Sequence, residues 1–181
     1  LRMTLGDIIS KTEVTILPNP KVVSSPEDFI AQQKMLVSIE NTVKEMHESV
    51  NQMRSAKTQL SHYAKLLKDS KDTDSLLEKG KELTKRINSW EENLIQAKQK
   101  TFQDVINFNN KLNAQLIQLK SYLDQANPKV TNGAKERFDD LMNDWQVYKN
   151  ERDTIINTEM QAYNSLFKTL AIPALILDEK Q

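Results

Sequence analysis

Between Ser25 and Leu67 apolar side chains return at alternating steps of three and four residues. Leu36, Ile39, Val43, Met46, Val50, Met53, Leu60, Ala64 and Leu67 follow Phe29 along one stripe, and only Gln32 and Lys57 interrupt it. This heptad rhythm specifies a single helix, roughly 60 Å long at a rise of 1.5 Å per residue. Its start is signalled three times. Ser25 can accept from a free first-turn N–H, Pro26 sits where no N–H is needed, and Glu27 and Asp28 complement the positive end of the helix dipole. A rod with one apolar stripe does not stand alone in water, so the rest of the chain must supply helices that cover it. With only three Gly and five Pro in 181 residues, the composition permits helix almost throughout. The expected class is all-α, an elongated antiparallel helical bundle.

Lys and Arg number 25, as do Asp and Glu. A balanced chain exerts no global attraction on nucleic acid or an anionic membrane, and neither is expected as a partner. No apolar run approaches the roughly 20 residues of a membrane span, so no membrane insertion is expected. The absence of cysteine excludes disulfides and thiolate metal sites without fixing a compartment. The chain opens on Leu1 rather than Met, which points to a segment of a longer protein whose targeting signals would lie upstream.

Residues 1–17 do not carry the helical rhythm. Leu1, Met3 and Leu5 alternate with Arg2 and Thr4, Gly6-Asp7 can turn, and Ile8 to Ile16 is rich in β-branched residues. A β-hairpin pairing Leu1–Leu5 with Ile8–Ile16 is expected, and because a lone hairpin is marginal in water, it should complete a β-sandwich whose other strands lie elsewhere. Leu17-Pro18-Asn19-Pro20 then forms a stiff connector. Two units follow: 1–20, hairpin and connector, and 21–181, helical bundle with an apolar tail.

After a polar turn at Lys68–Thr73, with Thr73 or Asp74 as cap, a second helix carries Leu76, Leu77, Leu83, Ile87, Trp90, Leu94 and Ala97, with Gly80 a weak point inside it. Poor helix formers gather between Lys100 and Asn110, and a break is expected there. Leu112, Leu116, Leu119 and Leu123 restore the stripe until Asn127-Pro128 ends it. The last helix begins near Thr131–Ala134 and carries Phe138, Leu141, Trp145, Tyr148, Ile155, Ile156, Met160, Tyr163, Leu166, Phe167 and Leu170, with a stutter near Arg152. The second and third helices together match the first in length, as does the last. That favours three long legs running up, down and up, the middle one broken near 101–109, over a four-helix up-down bundle. The three-leg form places the apolar tail Ile172–Leu177 near Leu66, Leu67, Leu76 and Leu77; the four-helix form returns it to Leu17–Phe29.

Catalytic chemistry has little to work with. A di-metal bundle site needs Glu-x-x-His pairs, but the residues three before His47 and His62 are Lys44 and Gln59. There is no cysteine, no Gly-x-Ser-x-Gly and no glycine-rich phosphate loop. Glu91-Glu92 and Asp139-Asp140 read as solvated face, Trp90, Trp145, Tyr148 and Tyr63 as core, and Lys79, Lys81, Lys85, Arg86, Lys98 and Lys100 as ordinary charged surface among glutamates. Catalytic, cofactor-binding and metal-binding residues are therefore each expected to be none. No pocket is expected to gather two carboxylates, or a carboxylate with His47 or His62.

One combination of motifs goes beyond periodicity. Val14-Thr15-Ile16-Leu17-Pro18-Asn19-Pro20-Lys21-Val22 precedes Ser25-Pro26-Glu27-Asp28-Phe29 and Gln32. Gln103-Asp104-Val105-Ile106-Asn107-Phe108 with Lys111-Leu112 follows, then Asn164 before Ile172-Pro173-Ala174. Together they resemble the C-terminal region of bacterial secreted proteins with sortilin-like, BNR (Asp-box) β-propellers, often labelled glycosyl hydrolases. In that family an Ig-like segment ends in a V-x-x-D-P-R-V connector. Here Asn19 and Lys21 replace the Asp and Arg, and Asn109 stands where a Pro often follows Phe108. The resemblance implies a secreted, periplasmic or cell-surface location, and a non-catalytic helical appendage acting as spacer, stabiliser or docking module. Its partners would be the upstream domains of the same chain or another protein, and any enzymatic activity of the parent would reside in the propeller. The alternative is an independent spectrin-like or coiled-coil interaction scaffold.

Overall fold

The structure is a computed structural model and describes residues 1–173, apart from the Phe102 side chain. Two strands, β1 (Arg2–Leu5) and β2 (Ile8–Lys11), precede α1 (Pro26–Leu66), α2 (Asp74–Leu94), a short 3₁₀ turn (Phe102–Ile106), α3 (Leu112–Leu123) and α4 (Asn132–Thr154). A π-turn (Ile155–Met160) then leads without interruption into α5 (Gln161–Thr169).

The start of α1 follows from its first four residues. Ser25 Oγ accepts from the Asp28 N–H while the Asp28 carboxylate accepts from the Ser25 N–H, a reciprocal cap on two otherwise orphaned donors. From there the stripe packs as the spacing predicts, with Leu36, Ile39, Met46, Val50, Met53, Leu60 and Leu67 buried. Near the end the packed face slips by one position. Tyr63 is half-buried and Ala64 exposed, because the larger ring reaches Phe167. The two residues that interrupt the stripe make polar bridges. Gln32 donates to the carbonyls of Leu123 (2.7 Å) and Gln125 (3.0 Å) where α3 ends, the first of which also accepts from the Gln125 N–H. Lys57 reaches Asn88 and Glu91 on α2.

These bridges define the topology. Arg54 and Lys57 meet Glu91 of α2, while Gln32, near the other end of α1, meets the end of α3; the middle leg therefore descends the whole length of α1. The last leg rises parallel to α1. Thr42 touches Met142, Glu45 meets Trp145, Ser49 meets Arg152 and Tyr63 packs on Phe167, with both residue numbers increasing together. The bundle has three long legs, and Ile172 and Pro173 arrive beside Leu67 and Ser70–Thr73 at the first turn. The rest of the apolar tail, Ala174–Leu177, lies outside the described residues. That first turn is closed by the Thr73 hydroxyl, which donates to the carbonyls of Leu67 and Ser70 rather than capping α2.

The break is longer than the sequence indicates. Helix α2 ends at Leu94, so Ala97 is exposed and outside any helix. Glutamine side chains compete with helical bonding here: Gln96 donates to the Asn109 carbonyl, Gln99 to the Phe108 carbonyl and Gln115 to the Asn110 carbonyl. Asp104 accepts from the N–H groups of Lys100 and Thr101, and these two bonds hold its carboxyl below the usual carboxylate range.

The stutter expected near Arg152 is realised three residues later as the π-turn. A regular three-four sequence through Leu141, Trp145, Tyr148, Arg152 and Ile155 would continue to Glu159 and Ala162, yet the apolar residues are Ile156, Met160, Tyr163 and Phe167. One extra residue per turn absorbs that offset without breaking the helix. Gly80 faces Tyr163; a Cβ there would lie 3.4 Å from the ring and 3.8 Å from Leu60, an ordinary packing contact.

The hairpin is shorter than expected. Its register pairs Arg2 with Lys11, Met3 with Ser10, Thr4 with Ile9 and Leu5 with Ile8, and a last reciprocal pair of hydrogen bonds joins Leu1 to Thr12 (2.7 and 3.0 Å), so pairing stops there rather than at Ile16. Gly6 at φ +55°, with Asp7 outside the left-handed region, fits a two-residue turn with positive φ at its first position only.

Candidate functional site

Three features stand out from ordinary bundle surface. The first is the hairpin. Opposed residues of an antiparallel pair project to the same side, so Met3, Leu5, Ile8 and Ser10 share one face with Leu1, and Arg2, Thr4, Ile9 and Lys11 share the other. The first face is apolar. Leu1, Met3, Leu5 and Ile8 are 71–81 % exposed, and every residue from Leu1 to Pro20 is exposed. This one-sidedness is legible in the alternation of the sequence once the register is known.

The second feature is a pair of charged clusters, both anchored on α1 positions beside the stripe. Glu91 is buried, contrary to its reading as solvated face, and meets Arg54 at 2.6 Å and Lys57 at 2.9 Å. Burial pushes its carboxyl up, but the hydrogen bonds from Arg54 and Lys57 outweigh that and leave it below the usual carboxylate value. Glu45 behaves alike. Burial raises its carboxyl, while the bonds from Lys149 (2.8 Å) and the Trp145 indole, with the nearby Arg152 charge, lower it further. Arg152 also donates to Ser49 Oγ at 2.9 Å. The sequence signal for both clusters was the pair of charged residues within one helical turn of the stripe, which periodicity alone files as surface.

The Glu91 cluster yields a pH prediction. A carboxyl whose folded pKa lies below its unfolded value stabilises the fold above the unfolded value, and that contribution is lost as pH falls through the folded pKa. Glu91→Gln should cost about 1–2 kcal/mol at pH 7, an amount moderated because Arg54, with its side chain 46 % exposed, can rehydrate. The gap from the wild type should close in acid below about pH 4. Thermal melts of both proteins between pH 7 and 3 measure it; a gap constant over that range would mean that Glu91 is not held ionised by its partners.

The third feature overturns an expectation. An open groove of about 460 Å³ between α1 and α3 is lined by Ile39, Val43 and Ile117 together with Glu40, Lys44, His47, Glu48 and Lys120. It gathers two carboxylates and a histidine, because residues flanking the stripe at i, i+4 and i+8 line up along its rim. The two carboxylates are nevertheless eight residues apart on one helix, about 12 Å along its axis, beyond the spacing at which a pair acts on one glycosidic bond. Glu40 is tied to Lys120 at 2.8 Å and Glu48 lies 4.0 Å from Lys44. His47 Nε2 lies 3.5 Å from Asn113 Nδ2, whereas His62 is exposed elsewhere on α1, in a shallow groove with Arg54, Lys57 and Lys65. The two histidines are not brought together. Among the described residues no group of three or more His, Asp or Glu is placed to hold a metal ion.

Fold and surface together define an all-α, three-leg helical bundle that displays a one-sided β-hairpin on a proline-rich connector. No helix among the described residues is long and apolar enough to cross a membrane. No protein family, curated protein or solved structure matches the chain.

Proposed function

We propose that the chain is a non-catalytic helical module of a larger secreted or cell-surface protein, in which it serves as spacer and docking element beside a β-rich domain. The observation that carries this reading is the hairpin, whose apolar face of Leu1, Met3, Leu5 and Ile8 is uncovered by the bundle. A sheet with one apolar face is a layer that wants a second layer. A second copy of the hairpin does not supply it. Four side chains offer far less than the roughly 800 Å² per partner of a stable association, whereas a larger sheet can both cover the face and pair with the open edges of β1 and β2. The resemblance of the Pro18-Asn19-Pro20 connector and the Ser25-Pro26-Glu27-Asp28-Phe29 helix start to sortilin-like propeller proteins supports the same arrangement.

Removing residues 1–20 should leave the melting temperature of the bundle within about 2 °C of the full chain, because none of those residues is buried on it. The amides of Arg2 and Thr4, which point away from β2, should exchange freely in the 181-residue chain and become protected in a longer form that carries the adjoining strands. A drop of about 10 °C on removing the hairpin would place it in the bundle core and end the proposal. Glycoside hydrolysis by the chain, abolished by changing one carboxylate, would end its non-catalytic part.

A further inference from the structure

Past the π-turn, α5 brings Tyr163, Asn164 and Phe167 against Gln59 and Tyr63 of α1, around an open hollow of about 290 Å³ that Gln161 and Lys168 complete. The rings of Tyr63 and Phe167 meet edge to face with centroids 4.8 Å apart, and both are half-buried. Gln59, Gln161 and Asn164 are exposed. Among the described residues none of the three amides makes a side-chain hydrogen bond to the protein, and no polar side-chain atom is buried without a partner, so their donors and acceptors face solvent. No carboxylate lines the hollow, and Lys168 is its one ammonium.

The lining selects a ligand class. A cation finds no anionic ligand there, and a phosphate finds a single lysine. A purely aliphatic group would cover three amides without pairing them, at a cost for each lost water contact. A pyranose ring suits all of the parts: its C–H faces pack on aromatic rings, and adjacent hydroxyls match amides, each of which presents two donors and an acceptor. We propose that this hollow binds a single pyranose unit, free or at the end of a glycan.

A second observation points the same way. Without the extra residue of the π-turn the stripe would pass through Glu159 and Ala162, turning Tyr163 and Phe167 about 100° from α1. By absorbing the extra residue, the π-turn keeps both rings against α1, where they form the aromatic part of the hollow, and such turns recur at functional sites. This proposal stands apart from the role of the hairpin.

The test is a titration of the full ¹⁵N-labelled chain with the methyl glycosides of glucose, galactose, mannose and N-acetylglucosamine. Saturable shifts confined to Gln59, Tyr63, Gln161, Asn164 and their neighbours are expected for at least one of the four. A Kd on the order of 1–10 mM suits a site of this size. Asn164→Ala and Gln161→Ala, at exposed positions that leave the fold intact, should each weaken binding about tenfold. Lys98→Ala should leave it unchanged. No saturable shift with any of the four at about 50 mM, or undiminished binding by both amide variants, overturns the proposal.

Discussion

Trp145→Ala should lower the stability of the bundle by about 3–5 kcal/mol and its melting temperature by about 6–20 °C. The indole is 2 % exposed in the middle of the last leg, and its Nε1 donates to Glu45 Oε2 at 3.2 Å. Truncation removes a large apolar contact with both neighbouring legs, leaves a cavity that three packed helices cannot collapse, and strips one donor from a partly buried carboxylate. Leu60→Ala should cost about 2–5 kcal/mol by the same cavity argument, while Lys98→Ala, exposed in the break, should change stability by less than about 0.5. Calorimetry or denaturant unfolding of the three variants decides it. Comparable losses for all three would mean that the faces of the legs are wrongly assigned.

The second large effect is a contrast between two single-residue deletions in the same helix. Deleting Asn157, exposed within the π-turn, should be tolerated within about 1 kcal/mol. The shortened helix returns to regular α geometry, and Ile155, Met160, Tyr163 and Phe167 fall on one unbroken three-four sequence. Deleting Gln146, eleven residues earlier in regular α4, should cost about 4 kcal/mol or more. There a missing residue turns the following segment by about 100°, carrying Tyr148 and Ile155 out of the core and pulling the Tyr148 carbonyl away from the Trp90 indole that donates to it at 2.8 Å. Unfolding free energies of both variants test this. Equal losses would show that the π-turn does not absorb the offset in the apolar pattern.

Most of the architecture was legible because it rests on local rules. The reciprocal cap at Ser25 and Asp28 needs only four adjacent residues, and the Gly6-Asp7 turn only two. The three-leg topology followed from matching lengths, since legs that bury one another's stripes must be equally long. The offset in the last leg was visible as a shifted rhythm, though its form as a π-turn was not, because a rhythm records that a residue is extra and not where the helix widens to hold it.

What escaped the sequence lies where residues distant in the chain choose each other. Glu91 looked like surface beside Glu92 because charge and adjacency say nothing about Arg54 and Lys57, 37 and 34 residues away, which permit its burial. The groove that holds Glu40, His47 and Glu48 exists because α3 lies against α1 there, a fact of packing that no single stripe contains. The early end of α2 at Leu94 was decided by glutamines bonding across a loop that only the folded chain closes.

The sequence by itself determined which segments are helical, where each begins, and that one apolar stripe per leg must be buried, because backbone geometry and the hydrophobic effect act through spacing alone. Only the tertiary structure decided which polar residues go inside, which apolar ones stay out, and which side chains meet around the hollow of Tyr63 and Tyr163. Those outcomes depend on whether a partner from another leg arrives within hydrogen-bonding or van der Waals distance, and spacing along one helix carries no information about the next.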